Sequence, residues 1–395
     1  MATFDSKYPH RLSVAPMMGV TDKHWRHLAR LLSRKTLLYT EMVVDSAIVH
    51  NSQDLNHTRF LGHRDDEHPL AVQLGGNDPS LLKQACELTV EHLGDTCVEV
   101  NLNCGCPSNV VATKHEFGAR LMLKPDRVRD IVHELDRVCS PRGVPVSVKH
   151  RLGTDLSGSD YDTTLRFVES CRQGGCRHFI LHARSAILAK GFSTQQNRTV
   201  PPLDVSVAHK LVRDLPDCTF ALNGQLKTLE DCARHLVEYE DLPPVHSCMV
   251  GRGAWYDPWK VLATADAWLG GEENPAVSRR SVLDSYLAYA NEQYPLLDVA
   301  EDALYRPLFY LFAGEARAKS FRVGLCDEVT RRAKALRRGI VDLPPPSVVV
   351  REALATARIT THALERRPGE ASHNRPESPL TVAVAALDVS DSSSS

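Results

Sequence analysis

Cys97-Val98-Glu99-Val100-Asn101-Leu102-Asn103-Cys104-Gly105-Cys106-Pro107-Ser108 decides how the rest of this chain is read. Its first residues, Cys97–Asn101, form a short β-branched run of the kind that makes a buried strand. Gly105 and Pro107 then force a turn. Cys106 is therefore expected on a tight loop at the C-terminal tip of a strand. Most free cysteines are small buried hydrophobes, and Cys104 and the other scattered cysteines are read that way. Cys106 is read differently, because of what lies at the neighbouring strand tips.

Working outward, short apolar runs alternate with helix-like segments from about residue 12 to about residue 265. The predicted strands are Leu12–Pro16, Leu37–Tyr39, Leu70–Leu74, Cys97–Asn101, Val144–Lys149, His178–Leu181, Thr219–Leu222 and Ser247–Val250. Between them, Pro79–Leu93, Pro125–Val138, Asp162–Gln173 and Leu229–Tyr239 carry apolar residues at helical spacing, several with Pro, Asp or Thr near the start. Eight such strands, each followed by a helix, is the count of a TIM (β/α)8 barrel, where strand C-termini face the site. A doubly wound sheet is the competing α/β architecture, but no Gly-x-Gly-x-x-Gly follows the first strand. The barrel is placed at residues 8–270, and Gly270–Pro275 is read as a linker.

A small all-α domain is expected over residues 276–343, with helices over Ser281–Glu292 and Glu328–Arg338 and an end at Pro344-Pro345-Pro346. From Arg317 to Arg338 it holds eight basic residues (Arg317, Lys319, Arg322, Arg331, Arg332, Lys334, Arg337, Arg338) against Asp327 and Glu328. That local net charge of +6 suits a phosphate-binding face as well as a solvated helix face. Residues 366–395 read as a disordered tail rich in Pro, Ser, Glu and Ala.

Composition narrows the class further. The net charge of −2 over 395 residues excludes a globally basic nucleic-acid binder, so any such surface is local. Eleven cysteines without a signal peptide point to free thiols in a reducing compartment. No secretory or organelle-targeting segment is evident at Met1–Asp5, and no apolar run approaches a membrane span. A cytoplasmic, monomeric enzyme with no membrane association is the expectation.

The strand tips carry a second pattern. The first ends in Ala15-Pro16-Met17-Met18-Gly19, an apolar lip suited to a flat ring. The third ends in Gln73, whose amide can read a heterocycle edge, followed by Gly75-Gly76. The fifth ends in Lys149-His150-Arg151 and the sixth in His182-Ala183-Arg184, each a cation donor at a tip. The seventh and eighth end in Asn223-Gly224-Gln225 and Gly251-Arg252-Gly253, where this fold recurrently binds phosphate. Together these imply a phosphorylated cofactor whose ring lies near Lys149, where a cation would stabilise the negative charge of a reduced flavin. Cys104 and Cys106 have too few neighbouring ligands for zinc, and no metal site is expected. A Cys–His hydrolase with His115 or His182 lacks any sign of an oxyanion hole.

These residues resemble the tRNA-dihydrouridine synthases, most closely the A-type subfamily, over roughly residues 10–340. The resemblance runs through Val14-Ala15-Pro16-Met17, Leu38-Tyr39-Thr40-Glu41-Met42, Gln73-Leu74-Gly75-Gly76 and Asn101–Ser108. It continues through Phe117-Gly118-Ala119, Val148-Lys149-His150-Arg151, Leu181-His182-Ala183-Arg184, Asn197-Arg198, Pro201-Pro202-Leu203-Asp204 and Val250-Gly251-Arg252. It implies FMN held by Pro16, Met17, Met18, Gln73, Lys149 and His182, with phosphate contacts from Asn223, Gly224, Gln225, Gly251 and Arg252. NADPH would reduce the flavin, although no dedicated nicotinamide motif is visible. A uridine flipped out of tRNA, at about position 20 or 20a of the D-loop, would receive hydride at C6 and a proton at C5 from Cys106. Asn103, Arg198, Arg184 and Arg306 would contact the tRNA substrate.

The chain departs from the family pattern in places. Cys104 stands where Val is usual, Gln225 where a second Gly is common, and Ser185 where many relatives carry Lys, with Lys190 available nearby in the loop. Pro307 sits beside Arg306. Two other functions fit less: a flavin barrel acting on a free pyrimidine has no use for the basic helical segment, and a non-catalytic tRNA binder has no use for Cys106, Lys149, His182 and Arg252.

Overall fold

Eight parallel strands pair in sequence order and close on themselves as a barrel. They are β1 (Leu12–Val14), β2 (Leu37–Val44), β3 (Leu70–Gly75), β4 (Cys97–Cys104), β5 (Val146–Arg151), β6 (His178–His182), β7 (Thr219–Asn223) and β8 (Ser247–Val250). The computed structural model describes residues 9–108, 116–154, 161–271, 273–339 and 343–371. The expected TIM barrel is therefore present, and all eight strands fall where the sequence put them. The largest extension is in β2, which runs on to Val44 through a register shift between Tyr39 and Met42. Glu41 interrupts the apolar run there, so the strand's second half carries no continuous hydrophobic signal.

Strands buried on both faces explain the unbroken apolar stretches that the sequence shows. Inside the barrel, Ala15, Leu37, Tyr39, Ala71, Ile180, Ala221 and Met249 pack as one buried cluster. On β4 the period-two alternation puts Glu99, Asn101 and Asn103 on a single face. In register beside them on β5, Asn101 pairs with Ser147 and Asn103 with Lys149. One wall of the interior is thus polar.

The helix Pro79–Leu93 shows why the crossovers form as read. Asp78 caps it by accepting the Leu81 N–H, Pro79 supplies a pre-set first turn, and Gly94 ends it at φ 51°. Leu82, Ala85, Cys86, Thr89, Val90 and Leu93 make its buried stripe. The helix expected over Leu229–Tyr239 is shorter, Leu229–Ala233. The chain reverses instead at Glu240 and Asp241, both at positive φ, with Tyr239 and Leu242 bridged across the turn.

The described residues divide into two compact units, one drawn from 9–18, 37–226 and 231–251, the other from 19–36, 227–230 and 252–371. The sequence reading put a single boundary within Gly270–Pro275. The second unit instead takes in the helix Lys23–Leu32, because the His27 ring stacks on Tyr289 with centroids 3.9 Å apart and His24 Nδ1 lies 2.8 Å from the Tyr289 hydroxyl. It also takes in Trp255 and Tyr256, which meet Tyr310 edge-on. Asn274, read as linker, ties back to the carbonyls of Leu32 and Leu262 at 3.0 Å each.

Helical structure does not stop at the proline triplet. Pro346 opens the helix Pro346–Ala357, and Thr361–Glu365 follows. Proline suits a helix's first turn, where its missing N–H has no partner to lose. Arg366, the first residue of the expected tail, is buried: with Arg279 it clasps Glu315, at 2.5 Å from each guanidinium. Residues 372–395 of that expected tail lie outside the described residues.

Candidate active site at the strand tips

Cys106 sits two residues beyond β4 and is half-buried, whereas Cys104 is fully buried. The two cysteines thus differ in exposure. The Asn103 side chain shapes the turn between them: its Oδ1 accepts the backbone N–H of Gly105 at 3.1 Å and of Cys106 at 2.9 Å. From the other side, Arg151 Nε donates to the Gly105 carbonyl at 3.0 Å, and the Cys106 carbonyl accepts the Ala119 N–H at 2.9 Å. A catalytic thiol on a loop needs this bracing, because misplacement by an ångström costs orders of magnitude in rate.

Burial pushes the Cys106 thiol above its ordinary range, opposed by the Ser108 N–H and then by the charges of Arg151, Lys149 and Arg198. Burial thus favours the protonated thiol, while the nearby basic residues favour its thiolate. That combination suits a proton donor, because the cations stabilise the thiolate left behind.

Lys149, at the tip of β5, donates to Asn223 Oδ1 at 3.0 Å, and Asn223 Nδ2 donates to the Met249 carbonyl at 2.8 Å. Burial, followed by the neighbouring Arg151 charge, lowers the Lys149 ammonium to about 7. A cation held this reluctantly favours an anion or a polar ring edge beside it. Gln73 on β3 is buried and takes the Asn103 Nδ2 donor on its Oε1 at 2.7 Å. Asn103, Cys106, Lys149, Gln73, Asn223 and Arg198 are therefore gathered in one neighbourhood.

The remaining expected cofactor residues lie at or just after the ends of β1, β6, β7 and β8. Gly224 lies at φ +126°, and a Cβ there would meet His182 Cδ2 at 3.0 Å and Leu203 at 3.1 Å. Gly251 faces Ala15 and Met17, and a Cβ on it would fill the space between. Pro16 and Met17 are half-buried and Met18 is 65% exposed, an apolar lip open to solvent. Gln225 is exposed at φ 56°, so its side chain leaves the turn and the backbone keeps the conformation a glycine would adopt. Arg252 is exposed and opens the helix Arg252–Tyr256. These residues fit a flat phosphorylated cofactor such as FMN. Among the described residues no group of His, Cys, Asp or Glu could hold a metal ion.

The expected substrate residues divide. Arg198 is exposed at the end of a short helical turn, Gln196–Arg198. Arg184 is buried and donates to the Pro201 carbonyl, so its charge braces a loop. Arg306, in the helical unit, donates to the Gly19 carbonyl at 2.6 Å and faces Asp302 at 3.3 Å and Asp22 at 3.7 Å. The basic run is also less uniform than its charge suggested. Arg332 is buried against Glu301 at 2.7 Å, and Arg331 pairs with Glu328. Arg317, Lys319, Lys334, Arg337 and Arg338 remain exposed. His115 lies outside the described residues.

The sequence reading missed Arg151 as a site residue. It is buried and ties together three loops through the carbonyls of Gly105, Ser185 and Asn197 at 3.0, 3.0 and 2.9 Å. Its two-residue spacing from Lys149 was the available signal. No helix among the described residues is long and apolar enough to cross a membrane.

Comparison with known proteins adds an independent line. The family model for dihydrouridine synthases matches residues 13–336. A tRNA-dihydrouridine(20/20a) synthase of Pseudomonas putida is 45% identical over 280 residues, covering 71% of this chain and 77% of the relative. One of Pseudomonas aeruginosa is 42% identical, covering 83% and 92%. One of Synechocystis sp. is 38% identical, covering 80% and 88%.

Proposed function

The chain belongs to the dihydrouridine synthase family, and from that premise we propose that it reduces uridines at positions 20 and 20a of the tRNA D-loop to 5,6-dihydrouridine. One observation carries the reading: the Cys106 thiol sits on a loop just past β4 whose backbone is braced by Asn103 and Arg151, beside the strand that carries Lys149. FMN held there and reduced by NADPH would supply the hydride for C6 of the uracil ring.

Each residue then has a definable task. Hydride at C6 leaves enolate charge over C5 and O4 of the base, and Cys106 quenches it by donating its proton to C5. The resulting thiolate faces Arg151, Lys149 and Arg198, which lower the cost of its charge. Asn103 and Arg198 hold the flipped base, whose extrusion is least costly from a loop. Lys149, Gln73 and His182, with Pro16, Met17 and Met18, would hold the cofactor ring. The backbone around Asn223, Gly224, Gln225 and Gly251, with Arg252, receives its phosphate. The exposed cations between Arg317 and Arg338 track tRNA phosphates.

The test is direct. Purified protein should carry flavin absorbance, and with NADPH it should convert uridine to dihydrouridine in tRNA lacking the modification, read by nucleoside mass spectrometry and position mapping. Colourless protein, or conversion of free uracil in preference to tRNA, would reject the proposal.

A further inference from the structure

A single directed hydrogen-bond chain runs through the barrel interior to the Cys106 loop. The N–H groups of Cys106 and Gly105 donate to Asn103 Oδ1. Asn103 Nδ2 donates to Gln73 Oε1, Gln73 Nε2 to Asn101 Oδ1, and Asn101 Nδ2 to Ser147 Oγ, each at 2.7 Å. The Ser147 hydroxyl donates to Glu99 Oε1, which also accepts the Tyr39 hydroxyl at 2.5 Å. Every side chain in the chain is buried, Asn103 being the most exposed at 8%.

Its ends explain its direction. Amides and hydroxyls both donate and accept, so Asn103, Gln73, Asn101 and Ser147 could each face either way. A backbone N–H can only donate, and Glu99 Oε1 accepts from both of its hydroxyl partners. The N–H end therefore sets the polarity of the four adaptable links in turn, and Glu99 receives it through an oxygen that accepts. We propose that Glu99 is a positioning residue for the reaction: through Ser147, Asn101 and Gln73 it sets the Asn103 amide, and with it the loop that carries Cys106.

A polar plug that merely filled the barrel would stabilise the fold but leave the two ends independent. A directed network makes them interdependent, because cutting it anywhere frees the same loop. The inference rests on Cys106 being the proton donor, but the first readout below does not.

The experiment measures iodoacetamide alkylation of Cys106 in the purified holoenzyme by peptide mass mapping. Nine of the eleven cysteines are buried, and Cys326 is resolved on a separate peptide. Glu99→Leu and Asn103→Ala should each speed alkylation of Cys106 by about five-fold, and the double variant by no more than either single one. Ser147→Ala, a milder cut in the same chain, should give the same pattern should Glu99→Leu fail to fold. Glu99→Gln, which keeps an acceptor oxygen, should stay within about two-fold of the parent protein. Turnover on tRNA should fall in kcat in proportion to the loosening, with KM unchanged, in Glu99→Leu and Ser147→Ala, whereas Asn103→Ala, which also loses a contact to the base, should raise KM as well. Effects that multiply in the double variant would overturn the proposal. Coupled alkylation with unchanged turnover would overturn Glu99's part in the reaction, and if Cys106→Ala also turned over normally, the failure would be that of the functional reading itself.

Discussion

Asn103 Oδ1 holds the backbone N–H of Cys106 at 2.9 Å, so the loop residue expected to give up a proton is anchored by the strand residue expected to touch the base. The last in-register residues of β4 and the thiol are thus one unit. Cys106→Ala should retain bound flavin and lose about 10²–10⁴-fold in single-turnover formation of dihydrouridine. Cys106→Ser should fall between, since its hydroxyl is a poorer acid. Reduction of the cofactor by NADPH, followed by absorbance, should be unaffected in both. A normal single-turnover rate in Cys106→Ala would remove the thiol from the chemistry.

Lys149 makes the affinity for cofactor pH-dependent. Burial, then Arg151, sets its ammonium at about 7 in the protein without cofactor. The cationic form is the one that favours an electron-rich ring. Below pH 7 it is already present, and above pH 7 binding has to take up a proton. FMN affinity should therefore weaken by up to about ten-fold per unit as pH rises past 7, until the pKa of the bound form is reached. Riboflavin, without a phosphate to titrate, should show the same slope, and Lys149→Met should show none. Fluorescence titration of flavin-stripped protein between pH 6 and 9 measures this, and equal slopes in parent and Lys149→Met would dismiss the idea.

The barrel was legible in sequence because its strands are apolar on both faces and bounded by Gly, Pro and Asn. What stayed hidden depended on register or on local context. Glu99, Asn101 and Ser147 look like isolated polar residues until Asn101 is paired with Ser147 across β4 and β5. Pro346 reads as a breaker in a run of prolines but serves as the first residue of a helix. Arg332 counted as surface charge, yet it is buried against Glu301. The helix Lys23–Leu32 follows β1 in sequence as a crossover should, yet its histidines engage Tyr289, more than 250 residues on. Composition carries no trace of such pairings.

Arg366 belongs to the folded helical unit. Burial alone would raise the Glu315 carboxyl, but Arg366 and then Arg279 hold it below its ordinary value. Arg279 in turn lies 4.9 Å over the Trp259 ring. Removing Arg366 leaves the Glu315–Arg279 pair intact but takes away the charged hydrogen bonds Arg366 makes to the buried carboxylate, at a cost of about 1.5–3 kcal/mol. Arg366→Ala should destabilise by that amount in urea unfolding, while the exposed neighbour Arg367→Ala should stay within about 0.5 kcal/mol of the parent. Comparable stability in the two variants would show that the clasp contributes nothing.

Glu99 should leave a signature on stability as well as on the Cys106 loop. Burial raises its carboxyl from 4.5 to about 7, against the pull of the Ser147 and Tyr39 hydroxyls. Between those values the folded protein binds a proton that the unfolded chain has released. Stability therefore falls as pH rises across that window: the contribution is fully present below about pH 4.5 and lost above about pH 7. A shift of this size corresponds to about 3 kcal/mol. Glu99→Gln has no proton to lose, so it should lack this part of the pH slope. Measured by urea unfolding at pH 5 and pH 8, the stability of the parent relative to Glu99→Gln should drop by about 2–3 kcal/mol between the two conditions. The fall comes from forcing a charge into the barrel interior, where Tyr39 and Ser147 supply its hydrogen bonds but no cation is paired with it in the chain described above. Parallel slopes for the two proteins would mean that Glu99 titrates as an ordinary carboxylate, and that its interior environment is more polar than the buried network implies.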